Sequence, residues 1–245
     1  MKKFLIPVVA ALGLALIVFV TRPNEDNQSN FPANNSAQNN VTQNNATENN
    51  NQAKQVLHEV PFVSQAPFGD WNDDRQQDGC EEASMLMAIR WATNQNLTRQ
   101  QALEEIHAMS AFEQQTIGTY HDTSAADTVS WARNYFDYEK IELEYDINAE
   151  DIKQALRDGK VVVVPADGTK LNNPNFTPPG PERHMFVIRG FDESKGVFIT
   201  NDPGTRNGEE YEYSYNTVIN AILDYSTGKL EPVTSSKKLM IVVSK

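Results

Sequence analysis

The spacing of the apolar residues changes part-way along this chain, and that change restricts its folding more than any other feature. Up to about residue 158 the large apolar side chains recur at helical intervals; from Val161 onward they stand in short runs rich in β-branched residues. Met85, Leu86, Ile89 and Ala92 mark one helical face, and Asp78, with Glu81 three residues later, is the expected N-cap of that helix. Thr98 is expected to cap RQQALEEIHAM, Thr123 or Ser124 to cap AADTVSWARNYF, and Asn148 to cap AEDIKQALRD, which stops at Gly159. Strands are expected at 161–165, 185–191, 197–200 and 238–243, with a short strand or extended entry segment at 58–65 and one more helix around 216–224. Helices first and strands later imply an α+β domain, a helical subdomain leaning on an antiparallel sheet.

Only part of the chain can take part in that domain. Residues 24–55 hold 12 asparagines and almost no large apolar side chains, too few to offset the entropy of ordering them, so a flexible tether is expected there. Residues 1–23 carry Lys2 and Lys3, an uncharged apolar run from Phe4 to Val20, and Arg22. The run ends in bulky Ile17-Val18-Phe19-Val20 where a cleavable signal wants small residues. At about 1.5 Å per residue it just reaches the lower limit for a bilayer. An uncleaved single-pass anchor is favoured over a cleaved signal peptide, and the leading lysines put the rest of the chain outside the cytoplasm. The folded module is then 56–245.

Charge bounds the partners. Residues 1–55 sum to +1, so the total of −12 leaves −13 on the module, which excludes nucleic acid as a partner recognised through a general basic field. An acidic surface of this kind serves solubility, and a monomer is expected.

The one cysteine, Cys80, cannot be half of an internal disulfide. It falls in the first turn of the expected helix, where unpaired amides favour a thiolate, although Glu81 and Glu82 oppose it. A buried structural thiol is the ordinary fate of such a residue, so a cationic partner is needed before Cys80 reads as a nucleophile. His184 supplies one. It opens the strand HMFVIRGF after a loop, 172–183, that contains four prolines, and the chain turns at 192–196 and returns as VFIT. A turn centred near Ser194 sets Asp202 roughly opposite Met185 or Phe186, within one residue of His184, close enough for a carboxylate to orient an imidazole. Among the other histidines, His121 is the reserve. Four scattered histidines and one cysteine have no metal-ligand spacing, so no metal or cofactor is expected. Acyl transfer also needs oxyanion donors, and Gln65, Gln76 and Gln77 all precede Cys80.

The segments VPFVSQ, GCEEASMLMAIRWA, IKQALRDGKVVVVPADG and HMFVIRGFDESKGVFITNDPGT, in that order, resemble the C39-like peptidases, a papain-like group of cysteine proteases. The resemblance implies a papain-like α+β fold, a Cys80-His184-Asp202 triad, and Gln65 as the side-chain donor of the oxyanion hole. It implies a peptide or protein substrate for a membrane-tethered or secreted hydrolase. Leader-peptide processing is not expected, since members that do it are fused to export transporters and this chain has no ATP-binding motif. A catalytically silent binding module and a transglutaminase-like acyltransferase remain as alternatives.

Overall fold

The structure, a computed structural model, describes residues 53–228, 233 and 237–245; the expected anchor and nearly all of the expected tether lie outside them. Among the described residues no helix is long and apolar enough to cross a membrane.

Among the described residues seven strands form one antiparallel sheet: β1 (Gln55–Leu57), β2 (Ile141–Tyr145), β3 (Val161–Ala166), β4 (His184–Asp192), β5 (Val197–Asn201), β6 (Tyr211–Ser214) and β7 (Leu239–Val243). Their order is β2-β7-β3-β4-β5-β6, and β1 pairs with the far end of β4. Helices α1 (Asp74–Gln77), α2 (Cys80–Ala92), α3 (Arg99–Thr116) and α4 (Ala125–Phe136) precede the central strands in sequence; α5 (Ala149–Arg157) and α6 (Tyr215–Ala221) are interspersed with them.

The α+β class is the one expected, but helices cover the sheet on both faces. Val161, Val163, Met185, Val187 and Ile241 pack with residues of α2, α3 and α4 in one core. Val162, Val164, Phe186, Ile188 and Val242 point the other way into a second core with Ile152 and Leu156 of α5 and Val218 and Ala221 of α6. This is why β3, β4 and β7 read as continuous apolar runs, with every residue buried. Each such side chain removed from water stabilises the fold by about 1.5–3 kcal/mol before entropy is counted.

Three local expectations need correction. The helix at Cys80 is capped by Gly79, not Asp78. Asp78 closes the short preceding helix α1, and its carboxylate goes to His121 Nδ1 at 2.6 Å. A side chain at position 79 would place a Cβ 2.6 Å from the Arg75 carbonyl oxygen, so glycine is what lets α1 and α2 meet. Residues 58–64 carry no strand, and the first strand is Gln55–Leu57, three residues earlier than the entry segment and beginning at the last residue of the stretch expected as tether. Finally, α2 is not amphipathic: every residue from Cys80 to Ile89 is buried, Glu81, Glu82 and Ser84 among them, because the helix runs between the sheet and α3 and α4. The strands β2 and β6 were not expected.

Candidate active site

The cleft lies where the start of α2 meets the start of β4. Ser84 Oγ donates to the Met185 carbonyl at 3.0 Å, tying helix to strand one turn beyond Cys80. The cleft, about 1570 Å³, is lined by Cys80 and His184, by the loop 62–71 on one side and by the proline-rich loop 175–183 on the other. Phe68 and Trp71 are large exposed aromatics on its wall.

His184 and Asp202 are brought together as expected. His184 Nε2 is 2.8 Å from Asp202 Oδ1, both residues buried. The register that does this contains a bulge: Asp192 pairs with Val197, but beyond Arg189 the pairing moves by one, to Val187 with Asn201. Continued by one residue, that pairing sets Asp202 opposite Phe186, on the same side of the strand as His184. Arg189, the extra residue, is held by its own bonds to the His58 carbonyl and to Asn201.

Asp202 is held at both oxygens. Oδ1 also accepts the Gly204 amide at 3.0 Å, and Oδ2 accepts the Tyr213 hydroxyl at 2.6 Å, itself bonded by Asn173 Nδ2 at 2.7 Å. Burial alone would raise the Asp202 carboxyl; the charge and N–H of His184, the Tyr213 hydroxyl and the Gly204 amide outweigh it and hold Asp202 below the usual carboxylate range. Gly204 is required: a Cβ there would lie 2.9 Å from His184 Cε1. The His184 ring is fixed edge-on by Phe176 and stacked on Phe186.

Cys80 is the first residue of α2 and lines the same cleft at 4% exposure. Its Sγ–H is donated to Glu81 Oε2 at 3.0 Å, and among the described residues no hydrogen bond joins it to His184. Burial, then the Glu81 carboxylate, push the thiol up. The imidazole's bond to Asp202 uses Nε2, which leaves Nδ1 as the nitrogen free to serve the sulfur.

Gln65 lies at the cleft, but both of its amide protons are committed, to the Gln76 carbonyl at 3.0 Å and the Gln77 carbonyl at 2.8 Å. Two carbonyl acceptors fix which end of the amide is nitrogen. In this arrangement the Gln65 amide braces the segment leading into Cys80. The Gln76 side chain is buried beneath that segment. The backbone amide of Cys80, in the first turn and outside the intrahelical ladder, is the donor at hand. His121, the reserve histidine, is paired with Asp78. Tyr213, Asn173 and Tyr225 escaped the sequence reading; Tyr213 belongs to a strand whose polar neighbours hid it.

A thiol at a helix start thus shares a cleft with a histidine–aspartate pair at the end of the antiparallel sheet of an α+β protein. Comparison with known proteins gives the particular family: the model of the Peptidase_C39 like family matches residues 57–227, and the chain belongs to that family. No curated protein matches it. Among solved structures the chain is similar to a proposed C39-like peptidase from Bacillus anthracis, at 16% identity and a TM-score of 0.46, covering 79% of this chain and 99% of the other.

Proposed function

We propose that this protein hydrolyses peptide or amide bonds through an acyl-enzyme, with Cys80 as nucleophile, His184 as general base and acid, and Asp202 as the group that orients the imidazole. The observation that carries this reading is the 2.8 Å bond from His184 to Asp202 through Nε2, which leaves Nδ1 for the proton of Cys80 in the cleft that both residues line. The family membership supports the same activity.

In the forward step the Cys80 proton passes to His184 Nδ1 and the sulfur attacks the scissile carbonyl carbon. Negative charge gathers on the carbonyl oxygen near the Cys80 amide. The tetrahedral intermediate collapses as His184 returns the proton to the leaving nitrogen, so the amine departs and a thioester remains. Water then enters, gives a proton to Nδ1, and its oxygen displaces the sulfur, which recovers the proton. Asp202 stays ionised throughout and stabilises the imidazolium.

Phe68 and Trp71, exposed on the wall, fit substrates with apolar side chains near the scissile bond. The N-terminal apolar run supports an activity outside the cytoplasm, on or near a membrane. Digestion of a peptide library by the wild type and by Cys80→Ala tests the reading: products made only by the wild type are expected, and identical product sets would overturn it.

A further inference from the structure

The mechanism leaves one buried group at the nucleophile unused. Glu81, 1% exposed, follows Cys80 directly and accepts its Sγ–H through Oε2 at 3.0 Å, while Oε1 accepts the Tyr225 hydroxyl at 2.6 Å. The same hydroxyl lies 3.4 Å from the His184 carbonyl oxygen. A carboxylate fastened from one side by a tyrosine therefore grips the sulfur from the other. The contact requires a proton: a thiolate and a carboxylate at 3.0 Å would be two anions touching in a buried site. While Glu81 is ionised, Cys80 is kept as the neutral thiol, and neutral thiol is a poor nucleophile.

We propose that Glu81 is a gate on the nucleophile: its ionised carboxylate locks Cys80 as the thiol, and protonation of Glu81 releases the sulfur to form the thiolate–imidazolium pair with His184. This rests on the reading of Cys80 as nucleophile and adds a control to it. The charged and titratable groups around Glu81 are Cys80 and Glu82 on its own helix and Tyr225 on the segment after α6. Asp122 before α4, with Arg183 3.5 Å away, and Glu113 of α3 beyond Glu82 complete the set. Burial first, and the Asp122 charge second, raise the Glu81 carboxyl to about 7, against bonds from Cys80 and Tyr225 that favour its charge. The gate therefore changes state near neutral pH. Cys80 and Glu81 hold one proton between them over part of that range, so the titration belongs to the pair.

Cys80 is the only thiol, so alkylation by iodoacetamide reads it alone; the thiolate sulfur displaces iodide and forms the S–C bond. The experiment follows the alkylation rate of the full chain from pH 5 to 9 by mass spectrometry. The wild-type rate is expected to fall through neutral pH as Glu81 ionises. Glu81→Gln, which offers the sulfur an N–H in place of a negative charge, should lack that fall and react at least about tenfold faster at pH 8, the effect of a shift of about one unit in the thiol. Tyr225→Phe removes a bond that favours the ionised form and should move the fall to higher pH, which decides the matter if Glu81→Gln does not fold. Coincident profiles for the wild type and Glu81→Gln, or an unmoved fall in Tyr225→Phe, overturn the proposal. The two readings fail separately. If His184→Ala alkylates as fast as the wild type, the catalytic reading falls and the gate with it. If His184→Ala is slower and Glu81→Gln equals the wild type, the gate alone falls.

Discussion

Tyr213 donates its hydroxyl to Asp202 Oδ2 at 2.6 Å from the strand beside β5, on the oxygen that His184 does not use. The carboxylate is thus clamped between an imidazole and a phenol, and its orientation does not depend on the histidine it is there to orient. Asn173 Nδ2 holds the phenol oxygen in turn at 2.7 Å.

Tyr213→Phe follows directly. It strips one donor from a buried carboxylate that keeps its bonds to His184 and Gly204. A loss of about 1–3 kcal/mol in stability is expected, read by urea unfolding at pH 7. The Asp202 carboxyl should also rise, so the acid limb of the kcat/KM profile should move to higher pH. An unmoved acid limb would mean that Tyr213 only fills space.

The depressed carboxyl of Asp202 makes an acid-stability prediction of definite sign. A group held below its unfolded value contributes stability that is complete above the unfolded value and is lost as pH falls through the folded one. Unfolding at pH 6, 4 and 3 should therefore show a steeper loss for the wild type than for Asp202→Asn, which has no charge to lose. The same pair separates orientation from charge in catalysis. Asp202→Asn can still accept the His184 N–H but no longer stabilises the imidazolium, so it should lose at least about tenfold in kcat, while Asp202→Ala also frees the ring and should cost at least about a hundredfold.

The histidine–aspartate pair was legible in the sequence because a hairpin turn and strand alternation are local signals; the expected offset of one residue was wide enough to absorb the bulge at Arg189. The helix starts at Thr98 and Ser124 were legible for the same reason, since capping is written in neighbouring residues. Glu81 and Glu82 were read as charges working against the thiolate, but not as buried ones. Burial of α2 on all sides comes from α3, α4 and the sheet closing around it, a tertiary fact that no window of sequence contains. Tyr213 and Tyr225 were invisible for a related reason: each reaches the site across a long interval, 11 residues to Asp202 and 144 to Glu81, from segments with weak patterns of their own.

Gln65 separates bracing from catalysis. Its two bonds to the Gln76 and Gln77 carbonyls stabilise the segment before Cys80, so Gln65→Ala should lower stability by about 1–3 kcal/mol. Gln65→Glu should cost more, because it sets a carboxylate against two carbonyl oxygens. Thermal melts of both variants, alongside kcat, check this. A Gln65→Ala protein with wild-type stability and a kcat about a hundredfold lower would instead place the side chain in the oxyanion hole.

Glu113 of α3 gives the opposite pH dependence from Asp202. Burial, then the neighbouring Glu82 and Glu81 charges, push it up to about 12, so it is a neutral acid in the folded protein throughout the physiological range. The unfolded chain releases that proton above the ordinary glutamate value, near 4.3, so between there and 12 the native state binds more protons than the unfolded one. Stability must then fall as pH rises, with a limiting slope of about 1.4 kcal/mol per pH unit for each proton retained. Glu113→Gln keeps the shape of the side chain and has no proton to lose. It is expected to match the wild type near pH 5, to exceed it at pH 8, and to show a flatter slope in urea midpoints taken at pH 5, 7 and 9. Equal slopes would show that Glu113 does not retain its proton in the folded protein.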